Sequence, residues 1–176
     1  MQKLLVLSFS LWLCSFSPAN MNGNVKSGLT WLTLDEAAAK MRVEKKMVLI
    51  DLYTDWCGWC KVMDKNTYTN KELIKYVNEH FYPVKLNAET RQTLKWFDKD
   101  FNYDESYKVN SYALYLTRGQ LAFPTTVILP ADGTAPQAIP GYLKPGEMEI
   151  ILKYFGEGAY GKQAFQDFQN SFKASW

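Results

Sequence analysis

Two cysteines separated by two residues, Cys57 and Cys60, carry the chemistry this 176-residue chain could perform. In Cys57-Gly58-Trp59-Cys60 the second thiol sits about one helical turn beyond the first, near enough to attack a disulfide formed there. Before them, Val48-Leu49-Ile50 continues through Leu52 and Tyr53 and is broken only by Asp51. That run has the length and the β-branched, aromatic character of a buried strand. After them, Lys61-Val62-Met63 can continue as a helix. A helix beginning near Cys57 would place its sulfur where unpaired N–H groups and the positive end of the helix dipole converge. Such an environment favours the thiolate, the form that attacks disulfides. Gly58 keeps the turn open, and Trp59 offers a flat apolar surface beside the sulfur. A purely structural disulfide and half of a metal site are the competing readings. A metal would need two further ligands, and outside the N-terminal region the chain has no other cysteine and only His80. His80 itself reads as the C-terminal residue of a helix, favourable to the dipole there.

Strand, turn, Cys-x-x-Cys and helix in that order resemble the thioredoxin superfamily, with Trp56-Cys57-Gly58-Trp59-Cys60-Lys61 as the motif. The chain is similar in particular to secreted bacterial thioredoxin-like proteins and to the C-terminal domain of the membrane thiol-disulfide electron transporter. The resemblance runs from about Trp31 to Phe155. It implies that Asp51, six residues before Cys57, is a buried carboxylate handling the proton of the resolving cysteine. It implies that Lys85 partners that carboxylate and that Phe123-Pro124 is a cis bond lying against the cysteines. An Asp–Lys pair beside a dithiol can tune proton release, since burial raises a carboxylate pKa and a neighbouring cation lowers it. The catalytic set is then Cys57, Cys60, Asp51 and Lys85, and Trp56, Gly58, Trp59, Phe123, Pro124 and Thr125 form the substrate surface. Phe123 would offer its backbone to an extended substrate strand.

The implied fold is α/β: a three-layer sandwich with a central mixed sheet and helices on both faces. Composition agrees with one globular domain, 47% hydrophobic and 22% charged. A net charge of +2, with no block of like charge, gives no reason to expect nucleic acid. Residues 1–19 read as a signal peptide: Lys3, an apolar stretch from Leu4 to Phe16, and Ser17-Pro18-Ala19 as a cleavage site. The apolar stretch is too short for a membrane span. Cys14 raises lipid attachment as a rival, which Leu13 directly before it disfavours. Residues 20–30 read as a flexible leader, 31–158 as the thioredoxin-like domain, and 159–176 as a C-terminal amphipathic helix carrying Phe165, Phe168 and Phe172.

Within the domain, Thr33-Leu34-Asp35-Glu36 reads as a capping box opening a helix to about Lys45. A second helix starts at Thr69-Asn70-Lys71-Glu72, and Tyr82–Asn87 is the next strand. Residues 88–115 form an insertion of about twenty residues relative to the family, rich in Trp96, Phe97, Phe101, Tyr103, Tyr107, Tyr112 and Tyr115. It is expected to be helical at Thr93–Phe97 and Ser111–Leu116. Its rings either pack onto the domain or form a recognition surface. Thr125–Leu129, a turn at Pro130–Thr134, an edge strand at Pro136–Pro140 and a helix from Pro145 complete the domain.

The expected function is periplasmic thiol-disulfide exchange on protein substrates by a monomer. The direction leans to reduction, with a membrane electron donor and no cofactor beyond the dithiol. Oxidation or isomerisation is the runner-up, followed by a non-catalytic binding module and, more weakly, metal delivery.

Overall fold

The computed structural model describes residues 28–176, so the expected signal peptide, Cys14 and most of the leader lie outside the described residues. Thr33 opens α1 (Leu34–Val43) through the expected reciprocal cap. Its hydroxyl accepts from the Glu36 N–H at 3.2 Å, and the Glu36 carboxylate accepts from the Thr33 N–H at 2.8 Å. β1 (Met47–Tyr53) follows, then α2 (Gly58–Asn66), α3 (Lys71–His80) and β2 (Phe81–Asn87). Asn70 caps α3 by accepting from the Leu73 N–H at 2.9 Å, and His80 is the last helical residue, as expected.

The insertion departs from expectation. Thr93–Phe97 is not helical: β3 (Leu94–Trp96) and β4 (Lys99–Phe101) make one hairpin, and β5 (Tyr103–Asp104) and β6 (Val109–Asn110) a second. The helix leading to the proline turn, α4 (Ser111–Thr117), is present. β7 (Thr125–Leu129), β8 (Gln137–Pro140), α5 (Pro145–Gly156) and α6 (Phe165–Ser171) complete the order. The C-terminal helix is correspondingly shorter than the expected 159–176. Gly158 and Gly161 adopt left-handed backbone before it, and beyond Phe172 the chain leaves the helix to meet α5.

The four long strands form one mixed sheet in the order β2-β1-β7-β8. β1 is parallel to β2 and antiparallel to β7, and β8 lies at the edge. Helices cover both faces, which is the thioredoxin-like three-layer sandwich. Side chains alternate between faces along each strand. Val48, Ile50, Leu52, Val84 and Val127 pack beneath α1 and α4; Leu49, Phe81 and Ile128 pack beneath α2, α3 and α5. By the same alternation Asp51 on β1, Lys85 on β2 and Thr126 on β7 turn to the α2 face. Three polar residues thus stand in otherwise apolar rows under one helix, and that row holds the chemistry.

Candidate active site

β1 ends at Tyr53, and a short turn leads directly to Cys57, the N-cap of α2. The Cys57 sulfur accepts from the Cys60 N–H at 3.0 Å, so the first thiol occupies one of the donor positions a helix start leaves open. Cys57 and Cys60 are joined by a disulfide, and each is 3% exposed. Gly58 has ordinary helical backbone, and a side-chain carbon there would meet nothing within 4 Å. The turn therefore does not require glycine. What its small size does is leave the approach to the disulfide uncovered.

Aromatic rings flank that approach on two sides. Trp56, 67% exposed, meets Phe123 edge-on at 5.9 Å and donates its indole N–H to Glu89 at 2.9 Å. Trp59, 62% exposed, lies 5.6 Å from Tyr142. The loop carrying Tyr142 is tied at both ends: the Gly141 N–H donates to Pro124 O at 2.8 Å, and the Thr67 hydroxyl to Leu143 O at 2.6 Å. Gly141 has φ +100, a backbone position that suits glycine. The Phe123–Pro124 bond is cis, as the resemblance implied. Among the described residues neither the N–H nor the C=O of Phe123 takes part in a hydrogen bond. Of the expected substrate surface, Trp56, Gly58 and Trp59 are exposed and Phe123 is partly so. Pro124 and Thr125 are buried, and the Thr125 hydroxyl donates to Ala122 O at 2.7 Å. Thr125 thus closes the turn from inside and presents no side chain to a substrate.

Behind the disulfide stands the row of polar residues. Lys85 donates to Asp51 at 3.0 Å and also bonds Asp64 on α2. Asp64 follows Cys60 by four residues, so the two share a helix face, and the lysine links that face to the carboxylate beneath it. Burial pushes the Asp51 carboxyl above its ordinary value, and Lys85 only partly offsets this. Burial also works against the charge on Lys85, but Asp51 and Asp64 outweigh it and raise its pKa. The rings of Trp31, Tyr53 and Tyr68 lie 5.1 to 5.9 Å from the ammonium and screen it from water. Asp64, Tyr68 and Glu89 were not singled out from the sequence. Asp64 was detectable, since a carboxylate four residues after the second cysteine is on its face. Among the described residues no group of three or more His, Cys, Asp or Glu side chains could hold a metal ion.

Residues 34–156 match the family of thioredoxin-like domains. The chain belongs to that family. A 56-residue stretch is 32% identical to human spermatogenesis-associated protein 20, covering 32% of this chain and only 7% of that much longer protein. The thioredoxin-like chain also superposes on a thioredoxin-fold protein from Helicobacter pylori, with a TM-score of 0.55 and 22% identity over 72% of this chain and 79% of that one. A putative disulphide-isomerase from Bacteroides thetaiotaomicron gives a TM-score of 0.53 and 23% identity over 77% and 98%. At these identities the structural likeness is one of fold. No helix among the described residues is long and apolar enough to cross a membrane.

Proposed function

We propose that this thioredoxin-like chain is an exported thiol-disulfide oxidoreductase acting on proteins in the periplasm, and that it works as a disulfide reductase. The observation that carries the reading is the Cys57–Cys60 disulfide at the start of α2, with the Asp51–Lys85 pair behind it. In the reducing direction the Cys57 thiolate attacks one sulfur of a substrate disulfide. A Cys57–substrate disulfide forms, and the other substrate sulfur leaves as a thiolate that takes a proton. Cys60 then loses its proton to Asp51 and attacks the Cys57 sulfur. The Cys57–Cys60 bond forms, the second substrate sulfur leaves as a thiolate that takes a proton, and Asp51 gives up the proton it received. Two electrons and two protons pass to the substrate, so the dithiol serves without a cofactor. A further dithiol donor at the membrane resets the pair.

The free N–H and C=O of Phe123 suit pairing with an extended segment of substrate beside Cys57, and the Trp56–Phe123 and Trp59–Tyr142 pairs suit apolar side chains on either side of it. The names of the similar solved structures, a thioredoxin-fold protein and a putative disulphide-isomerase, fit the same chemistry.

A redox titration of the chain lacking residues 1–19, in glutathione or dithiothreitol buffers with alkylation of the free thiols, tests the direction. Dithiol proteins of this kind span about −270 to −120 mV, and about 30 mV corresponds to 1.4 kcal/mol. A midpoint near the reducing end is expected, together with loss of exchange in Cys57→Ser. A midpoint near −120 mV would make the protein an oxidant. A pair that does not exchange would remove the enzymatic reading altogether.

A further inference from the structure

Lys85 occupies Oδ2 of Asp51, but Oδ1, on a residue 1% exposed, has no hydrogen-bond partner. Two hydroxyls nearby are in the same condition, those of Tyr68 and Thr126. Their positions follow from the sheet. Thr126 is the cross-strand partner of Asp51 in the β1–β7 register, and both turn to the α2 face. Tyr68 packs in the core on that face, directly after α2, with its ring 5.9 Å from the Lys85 ammonium. Its ring lies beside the same Lys85 ammonium that bonds Asp51 at 3.0 Å, so its hydroxyl belongs to the same buried polar neighbourhood as Asp51 Oδ1 and the Thr126 hydroxyl. Thr126 is fully buried and Tyr68 is 6% exposed.

A lone buried hydroxyl or carboxylate oxygen is costly, and three together are most cheaply satisfied by one another. With Tyr68 as the middle member of the three, one polarity serves them all. A carboxylate oxygen accepts and cannot donate, so the tyrosine must donate to it, which leaves the tyrosine oxygen free to accept from the threonine.

Resting on the reading of Asp51 as the proton acceptor for Cys60, we propose that Tyr68 and Thr126 are positioning residues for that proton transfer. They form a buried chain in which the Thr126 hydroxyl donates to Tyr68 Oη and Tyr68 donates to Asp51 Oδ1. The carboxylate is then held from both ends, by Lys85 on one oxygen and by the phenol on the other. Its charged form is favoured against burial, and its orientation toward α2 is fixed. Tyr68 does not itself take the proton, because burial keeps its hydroxyl neutral well above the ordinary tyrosine range. The charged groups facing Asp51 are Lys85 from β2 and Asp64 from α2, with Tyr68 after α2 and Tyr53 at the end of β1 as further titratable neighbours.

The test is the pH profile of Cys60 attack on a preformed Cys57–glutathione disulfide, in single turnover. Tyr68→Phe keeps the ring and removes only the hydroxyl. It should move the midpoint of the profile up by about one pH unit, so that the rate below the midpoint falls about tenfold and recovers at alkaline pH. Thr126→Val should shift it the same way by less, Thr126→Ser should restore it, and the two losses together should not exceed Tyr68→Phe alone. In an Asp51→Asn background Tyr68→Phe should have no further effect. Infrared titration of the Asp51 carboxyl, identified by difference against Asp51→Asn, provides a readout independent of exchange. A protein without exchange activity would defeat the enzymatic reading but would still show the Tyr68 shift in that band. Profiles and bands of Tyr68→Phe and Thr126→Val that superimpose on those of the unaltered protein would overturn the proposal.

Discussion

Lys85 and Asp64 act on Asp51 with opposite sign, which makes the polar row testable one residue at a time. The ammonium at 3.0 Å favours the carboxylate form, and Asp64 opposes it both as a like charge and by competing for the same lysine. Lys85→Met should therefore raise the Asp51 pKa further, and Asp64→Asn should lower it. Shifts of about one unit are the scale of a single hydrogen-bonded charge. The pH profile of disulfide exchange should move up in the first variant and down in the second, and movement in the same direction would refute the arrangement. The sign also bears on stability. Because folding raises the Asp51 pKa, its contribution declines as pH rises from the ordinary carboxylate value through the folded one. Asp51 and Lys85 were legible because the resemblance implies a carboxylate and a lysine at these places, and Asp51 also breaks an apolar strand run. Tyr68 and Thr126 were not, because an aromatic after a helix and a threonine in a strand are ordinary core and strand residues. Only the register sets Thr126 opposite Asp51.

At the scale of elements, the insertion is organised by Asn110. Its amide donates to Gln92 O at 3.0 Å and Phe101 O at 3.2 Å, with Thr90 O at 3.5 Å, and its carbonyl oxygen caps α4 by accepting from the Tyr112 N–H at 2.9 Å. Its own N–H donates to Ala88 O at 2.7 Å. One side chain 1% exposed thus ties both hairpins to the helix that leads into the proline turn. Asn110→Ala removes a cap and takes the shared donor from the exposed Gln92 and half-buried Phe101 carbonyls, a loss of about 1–3 kcal/mol. Hydrogen exchange should show residues 89–109 opening first, while the β1 and β7 amides stay protected. Uniform loss of protection across the sheet would contradict this. The expected helix at Thr93–Phe97 failed for a physical reason. The β3–β4 turn places Phe97 in left-handed backbone at φ +53, and Lys108 does the same in the second hairpin at φ +59. Neither turn carries the glycine that announces a hairpin in sequence. The aromatics divide by burial. Trp96, Phe101 and Tyr112 pack on the core, whereas Phe97, Tyr107 and Tyr115 are exposed.

Across the whole molecule, the face opposite the α1–α4 layer is closed by a contact that no local pattern could announce. Glu149 on α5 is fully buried, and its carboxylate accepts from Lys153 at 2.8 Å, from the Ser175 N–H at 2.9 Å, from the Ser175 hydroxyl at 2.6 Å and from the Trp176 N–H at 3.1 Å. The tail is thereby held against α3 and α5, where Trp176 meets Tyr76 at 5.6 Å. In the sequence Glu149 stands between apolar α5 positions as an ordinary surface acid paired with Lys153 four residues on, because its tail partners Ser175 and Trp176 lie 26 and 27 residues away. Burial would push its pKa up, but the hydrogen bonds from Lys153, Ser175 and Trp176 outweigh that and hold it below the ordinary glutamate value. A carboxyl depressed on folding contributes stability that is present above its unfolded pKa, about 4.3, and is lost as pH falls through the folded value. Glu149→Gln keeps the shape but turns an amide donor toward donors and leaves Lys153 without its carboxylate partner. At neutral pH it should cost about 3 kcal/mol, which for a chain of this size lowers Tm by about 6–12 °C. The difference from the unaltered protein should shrink as pH is lowered from 5 toward 3, because the unaltered protein loses there what the variant already lacks. Thermal unfolding of both proteins across that range decides the matter. A gap that stays constant with pH would mean that the loss does not come from the carboxylate charge, and no gap at any pH would mean that the tail is held by Phe168, Phe172 and Trp176 packing alone.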